Sequence, residues 1–175
     1  YLATNHGRDH IQHVEIMGNR VGTITGRRAT VYANQGAHLS FFASLIPSGL
    51  FALMHSGPYS TPNVSCKVYG TFTNTTPVDA YRGAGRPEMT FILERMTDMF
   101  AEEIGMDPAE VRRKNLIPPF DDGYNASTGV TYDTGNYEPA FDKALEMVGY
   151  QQFRQEQEQA RKEGRYLGIG ISTYV

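Results

Sequence analysis

The chain has no tryptophan and a single cysteine, Cys66, among its 175 residues. One thiol builds no disulfide framework and no cysteine set for structural zinc or an iron-sulfur cluster. Cytoplasmic localisation, in a reducing compartment, is the expectation. Long apolar runs are missing too. The richest stretch, 41–55, is interrupted by Pro47, Ser48 and Gly49, so no membrane span is expected. Excess positive charge is also lacking: the net charge is -3, which argues against a nucleic-acid partner. His6, His10 and His13 cluster near the start, but His10 and His13 are three apart on an expected strand and so face opposite ways. They are expected to be structural or surface histidines, with no metal site.

What is present centres on Asp79-Ala80-Tyr81-Arg82-Gly83-Ala84-Gly85-Arg86-Pro87-Glu88. Two arginines bracket a Gly-Ala-Gly turn. Beyond it Met89, Ile92, Leu93, Met96, Met99, Phe100 and Ile104 recur at helical spacing. Pro87 suits the first turn of a helix and Glu88 its positive end. Small residues, exposed amides, a helix start and two fixed cations together make an anion-binding corner. The plainer alternative is a tight strand-to-helix turn with arginines facing solvent.

Around this corner, alternation predicts a strand over 10–17 and a longer one over 21–34, joined by a two-residue turn at Gly18-Asn19. Phe41, Phe42, Leu45, Ile46, Leu50, Phe51, Leu53 and Met54 predict a buried helix with Pro47 in its first turns. Residues 64–73 read as a strand holding Cys66 as a small core residue. Met89, Met96 and Met99 read as core fillers. Asp107-Pro108-Ala109-Glu110 has the capping-box pattern and opens a short helix through Lys114. An irregular loop follows over 118–135. Then come a helix over 137–148 and a strongly polar, solvent-facing one over 151–164. The closing run 168–175 reads as a strand interior. Hairpins followed by runs of helices give an α+β class. One segment, 1–175, is expected, cut at both ends, because it opens without Met and ends inside a strand.

The stretch from Thr71 through Asp79 into Ala80-Tyr81-Arg82-Gly83-Ala84-Gly85-Arg86-Pro87-Glu88 resembles the molybdenum-binding large subunit of the xanthine dehydrogenase, aldehyde oxidase and carbon monoxide dehydrogenase family. Asn5-His6-Gly7-Arg8-Asp9-His10, Gly57-Pro58-Tyr59, Gly105-Met106-Asp107-Pro108 and Tyr132-Asp133-Thr134-Gly135 extend the likeness along the whole chain. The resemblance implies a piece of the molybdopterin-binding domain of a cytoplasmic hydroxylase that oxidises carbon with water-derived oxygen. It implies molybdopterin, in its cytosine dinucleotide form, with FAD and 2Fe-2S clusters on partner subunits. Those partners are an iron-sulfur small subunit and an FAD-binding medium subunit, assembled as a dimer of heterotrimers.

Carried over by position, Arg82, Gly83, Ala84 and Gly85 form the loop facing the cofactor, with Ala84 and Leu50 toward substrate. Copper-containing carbon monoxide dehydrogenases carry Cys where Gly83 stands, so no thiolate here holds copper. Xanthine-oxidising members carry Phe at the place of Ala84 and Arg at that of Leu50. Their absence leaves a roomier apolar pocket, suited to an aldehyde or N-heterocycle, while the Gly-Ala-Gly-Arg variant resembles the carbon monoxide dehydrogenase-like branch, which adds a substrate of that branch as a third expectation. No catalytic residue is assigned. The Gly-Gly-Phe-Gly loop is expected before Tyr1 and the catalytic Glu beyond Val175, so the segment alone is expected to be inactive. The alternative is a non-catalytic module that binds a phosphate-bearing ligand or acidic partner through Arg82 and Arg86.

Overall fold

Alternating apolar and polar residues near the start close a hairpin. In the computed structural model, which describes residues 5–175, β1 (His10–Gly18) pairs antiparallel with β2 (Ile24–Gly36), His10 opposite Ala33 and Met17 opposite Gly26. The connection is a five-residue loop, 19–23, rather than a two-residue turn at Gly18-Asn19. Asn19 holds it shut. Its side chain accepts the Thr23 amide at 3.0 Å and its carbonyl accepts that of Gly22 at 3.0 Å.

β3 (Val64–Phe72) joins the other edge of β2, and does so parallel, Val31 opposite Val68. A parallel neighbour needs a long crossover, which residues 37–63 supply. Part of that crossover departs from the expected buried helix. Residues 46–50 form a π-turn, with the Leu50 amide bonded to the Leu45 carbonyl at 3.1 Å. Pro47 offers no amide and Gly49 disfavours regular helix, so an ordinary α-helical ladder does not form. Ala43, Ile46 and Phe51 are buried, but Phe41 is 88% exposed, and Phe42, Leu45 and Leu53 are exposed as well.

α1 (Arg86–Ile104) lies on the sheet, packing Met89, Ile92 and Leu93 on Ala29, Val31, Ala33 and Phe51. Of its three methionines only Met89 is fully buried. Met96 is half-buried and Met99 is exposed. Cys66 packs half-buried against this core, and burial pushes its thiol pKa up. α2 (Pro108–Asn115) is capped by Asp107, which accepts the amides of Ala109 at 2.8 Å and Glu110 at 3.3 Å. Glu110 turns to Arg113 instead of completing the capping box.

The loop 118–135 contains a small antiparallel hairpin, β4 (Tyr124–Asn125) with β5 (Thr131–Tyr132). α3 (Glu138–Met147) and α4 (Tyr150–Lys162) follow, anchored by Phe141 and Tyr150 against Tyr59, Ala109 and Leu116. Apart from buried Ala160, the rest of α4 is half-buried or faces solvent, as its polarity requires. Residues 167–175 run extended with alternating burial, yet pair with no strand among the described residues. The class is α+β. No helix among the described residues is long and apolar enough to cross a membrane, and no histidine, cysteine and carboxylate cluster there could hold a metal.

Burial also produces a titration signature. His55 is 1% exposed, with neither ring nitrogen hydrogen-bonded among the described residues. Burial, and secondarily the Arg27 charge, push its pKa down from 6.5 to about 4. In the unfolded chain the ring protonates near its ordinary value, whereas the folded chain resists protonation. Stability from neutral His55 is therefore full above pH 6.5 and is lost as pH falls toward 4. We expect a loss of about 2–3 kcal/mol between pH 7 and 4.5, from a shift of this size. A His55→Asn variant should lack this slope in urea unfolding at the two pH values. An identical slope in variant and wild type would refute the assignment.

Candidate functional site

Between β3 and α1 the chain is pinned before it turns. Asp79 accepts the Ala80 amide at 2.7 Å, the Phe42 amide at 3.3 Å and the Ser40 hydroxyl. The Ser40 hydrogen bond, ahead of the others, holds the Asp79 carboxyl below its usual range despite some opposing desolvation. From this anchor the chain enters three successive residues in left-handed conformation: Gly83 (φ 99°), Ala84 (φ 43°) and Gly85 (φ 89°). Only glycine fits at the two ends of that run. A Cβ at Gly85 would stand 2.6 Å from the Ile46 carbonyl oxygen and 2.9 Å from the Phe51 amide. One at Gly83 would meet the Pro87 ring at 2.5 Å.

The turn is closed by the Ala84 amide to the Tyr81 carbonyl, 2.9 Å, and the Arg86 amide to the Gly83 carbonyl, 3.1 Å. The amides of Arg82, Gly83 and Gly85 have no protein acceptor among the described residues. Successive unpartnered amides in such a turn form a concavity for an anion, and the positive end of α1 adds to it. Arg82 and Arg86 pair with no carboxylate among the described residues.

Alongside runs a groove of about 660 Å³, bordered by Arg82, Gly83, Arg86, Phe91, Arg95 and, from the C-terminal stretch, Tyr174. Glu94 and Asp98 also border it, but Arg112 beneath them offsets one of their two charges. Arg112, 0% exposed at its side chain, binds Glu94 Oε2 at 2.7 Å and Asp98 Oδ1 at 2.8 Å. Tyr59 and Thr173 hydroxyls donate to the other Glu94 oxygen at 2.8 and 2.7 Å. The Pro108, Glu94 and Ile171 carbonyls take the rest, so all five guanidinium donors are used. Burial opposes the Arg112 charge, but Glu94, Tyr59 and Asp98 together raise its pKa. The arginines thus dominate the groove.

The structure therefore brings Arg82, Gly83, Ala84 and Gly85 into one turn, with Arg82 and Gly83 on the groove. Leu50 lies behind that turn: its carbonyl carbon is 3.2 Å from where a Gly85 Cβ would stand. Neither Ala84 nor Leu50 borders the groove. Sequence reasoning passed over Phe91 and Arg95, which nothing in the spacing distinguishes from other exposed helix residues.

Residues 1–116 match the family of the molybdopterin cofactor-binding domain. The chain belongs to that family. It is 32% identical to the gamma subunit of the 6-hydroxypseudooxynicotine dehydrogenase complex of Paenarthrobacter nicotinovorans, over 99% of this chain and 22% of that protein. To the carbon monoxide dehydrogenase large chain of Hydrogenophaga pseudoflava it is 36% identical, over 98% of this chain and 22% of the relative. Among solved structures, quinoline 2-oxidoreductase from Pseudomonas putida 86 superposes with a TM-score of 0.90 at 28% identity, over 98% of this chain and 22% of that one. The chain thus spans 22% of the length of these curated relatives. For a member of the molybdopterin-binding family, the donor chemistry fits: unpartnered amides and unpaired guanidiniums suit an anionic, phosphate-bearing group.

Proposed function

We propose that the chain, residues 1–175, is one segment of the molybdopterin-binding domain of a molybdenum hydroxylase large subunit, and forms one wall of its cofactor and substrate site. The observation that carries this is the left-handed Gly83-Ala84-Gly85 turn, with amides that have no protein acceptor among the described residues, between Arg82 and Arg86, which pair with no carboxylate there, in a chain of this family. Gly83 and Gly85 give the turn the shape that leaves its amides free for the cofactor, and Arg82 and Arg86 balance its negative charge. Substrate contact through Ala84 and Leu50 is proposed on a side of the turn other than the groove, which neither residue borders. When bound, the cofactor would supply oxidation of a substrate carbon with oxygen drawn from water. No residue of the chain is assigned as catalytic base.

An N-heterocycle or aldehyde is the proposed substrate class. Relatives named nicotine 6-hydroxylase large subunit and quinoline 2-oxidoreductase support the former. A copper-bearing neighbour is a Cu,Mo-CO dehydrogenase. This chain offers Gly83 and no nearby thiolate, so copper is not part of the proposal. The cytosine dinucleotide form of the cofactor is part of the proposal, and the arginines along the groove would balance its phosphates. The partners proposed are an iron-sulfur small subunit and an FAD-binding medium subunit, in a cytoplasmic dimer of heterotrimers. A relative named as a complex subunit supports partnership in general.

Arg82→Ala, in the polypeptide that carries this segment, should lower molybdenum content or turnover about tenfold or more, since charge-assisted hydrogen bonds are among the strong ones. Metal analysis and steady-state rates decide it, and unchanged values for both would remove Arg82 from the site.

A further inference from the structure

Arg8 enters the same corner from the far end of the chain. It is held at φ 61°, a left-handed conformation that non-glycine residues seldom adopt and that persists where the surroundings impose it. The approach is guided by backbone pairing on both sides of Val78: the His6 amide donates to the Pro77 carbonyl at 2.9 Å and the Asp79 amide to the His6 carbonyl at 2.7 Å. From there the Arg8 guanidinium makes three contacts. Nη2 donates to the Arg82 carbonyl. Nε pairs with Glu88 Oε1 at 3.3 Å, the Glu88 side chain being only 8% exposed. The guanidinium carbon lies 4.6 Å from the centre of the Tyr81 ring.

The first contact has a stereochemical consequence. The Arg82 carbonyl and the Gly83 amide belong to one planar, trans peptide unit, so they point in opposite directions. Fixing the carbonyl toward Arg8 fixes the Gly83 N–H away from it. A cationic donor on the carbonyl also polarises the unit and strengthens that N–H as a donor. Glu88 keeps the guanidinium in place from the first turn of α1, and Tyr81 stacks on it, so Arg8 ties the residues before the turn to the helix after it.

We propose that Arg8 is a positioning residue: it sets the Arg82-Gly83 peptide plane so that the Gly83 amide is presented to an anionic group in the corner. This rests on the reading of the corner as a cofactor site. Arg8 itself makes no contact with that group in this proposal and acts only through the peptide.

The test uses Arg8→Met and Arg8→Lys in the complete polypeptide that carries the segment, assembled with whatever subunits it has. Two readouts are taken together: hydrogen exchange at the Ala84 and Arg86 amides, which close the turn, and molybdenum and pterin per chain. Arg8→Met should speed exchange and lower cofactor content, each by about tenfold or more, while Arg8→Lys, which keeps a charged donor, stays within about threefold of wild type. Faster exchange with undiminished cofactor would make Arg8 merely structural and overturn the proposal. Unchanged exchange in Arg8→Met would overturn it as well. Wild-type polypeptide without molybdenum would defeat the proposed function and this role with it, whereas molybdenum in wild type and equally in Arg8→Met would defeat the role alone.

Discussion

Arg112→Leu is expected to cost about 3–5 kcal/mol of folding stability, the usual penalty for removing one partner of a buried ion pair. The reason lies in what remains. Glu94 would keep Tyr59 and Thr173 as donors but lose its ion-pair partner, in a site that solvent barely reaches. The Ile171 carbonyl would lose its donor as well, loosening the 167–175 stretch that flanks the groove. A loss of this size is a large fraction of the total stability of an ordinary domain, about 5–15 kcal/mol. Adding Glu94→Gln should recover more than half of the loss, because it removes the stranded charge. Urea unfolding of the three variants measures this, and a single-variant loss below about 1 kcal/mol would show that the ion pair is not what holds this layer together.

Gly85→Ala has the second large expected effect. At φ 89° an alanine costs about 1–3 kcal/mol on conformation alone. Here the added methyl also meets backbone atoms of Ile46 and Phe51, which cannot swing aside as a side-chain tip could. The turn must therefore shift as a unit, carrying the Gly83 amide with it. We expect cofactor content of the intact polypeptide to fall about tenfold, equivalent to roughly 1.4 kcal/mol of affinity. Ala84→Gly, at φ 43°, is the control, and should keep stability within about 1 kcal/mol of wild type. If metal content and melting behaviour of Gly85→Ala match those of the control, the turn is not constrained as described.

Much of the fold could be read from local chemistry. Pro87 and Glu88 mark the start of α1, Gly105 ends it, and Asp107-Pro108 starts α2. In each case the signal and the structure it specifies lie within a few residues. The arginine-glycine corner was legible for the same reason, since amides, glycines and a helix start are contiguous. What failed was what depends on distant surroundings. Residues 41–54 carry apolar side chains at helical spacing, but spacing does not reveal that Pro47 and Gly49 widen the ladder, nor which side faces the sheet. The hairpin loop was misjudged because the Asn19 side chain reaches the Thr23 amide and closes a five-residue loop, where a two-residue turn at Gly18-Asn19 was expected.

The parallel register of β3 and the Glu94-Arg112-Tyr59-Thr173 network are likewise set by packing between remote segments. Arg8 and Arg82 are 74 positions apart, and no spacing rule joins them. Arg8 did leave a trace, within the Asn5-His6-Gly7-Arg8-Asp9-His10 stretch. That trace showed a likeness without showing a contact.

The most direct measurement of the central claim is the molybdenum and pterin content of the polypeptide that naturally carries this sequence, purified without reconstitution. About one molybdenum and one pterin per chain are expected, with iron and flavin on co-purifying subunits. A polypeptide that carries neither molybdenum nor pterin would contradict it, and would leave the Arg82–Arg86 corner as a site for some other anion.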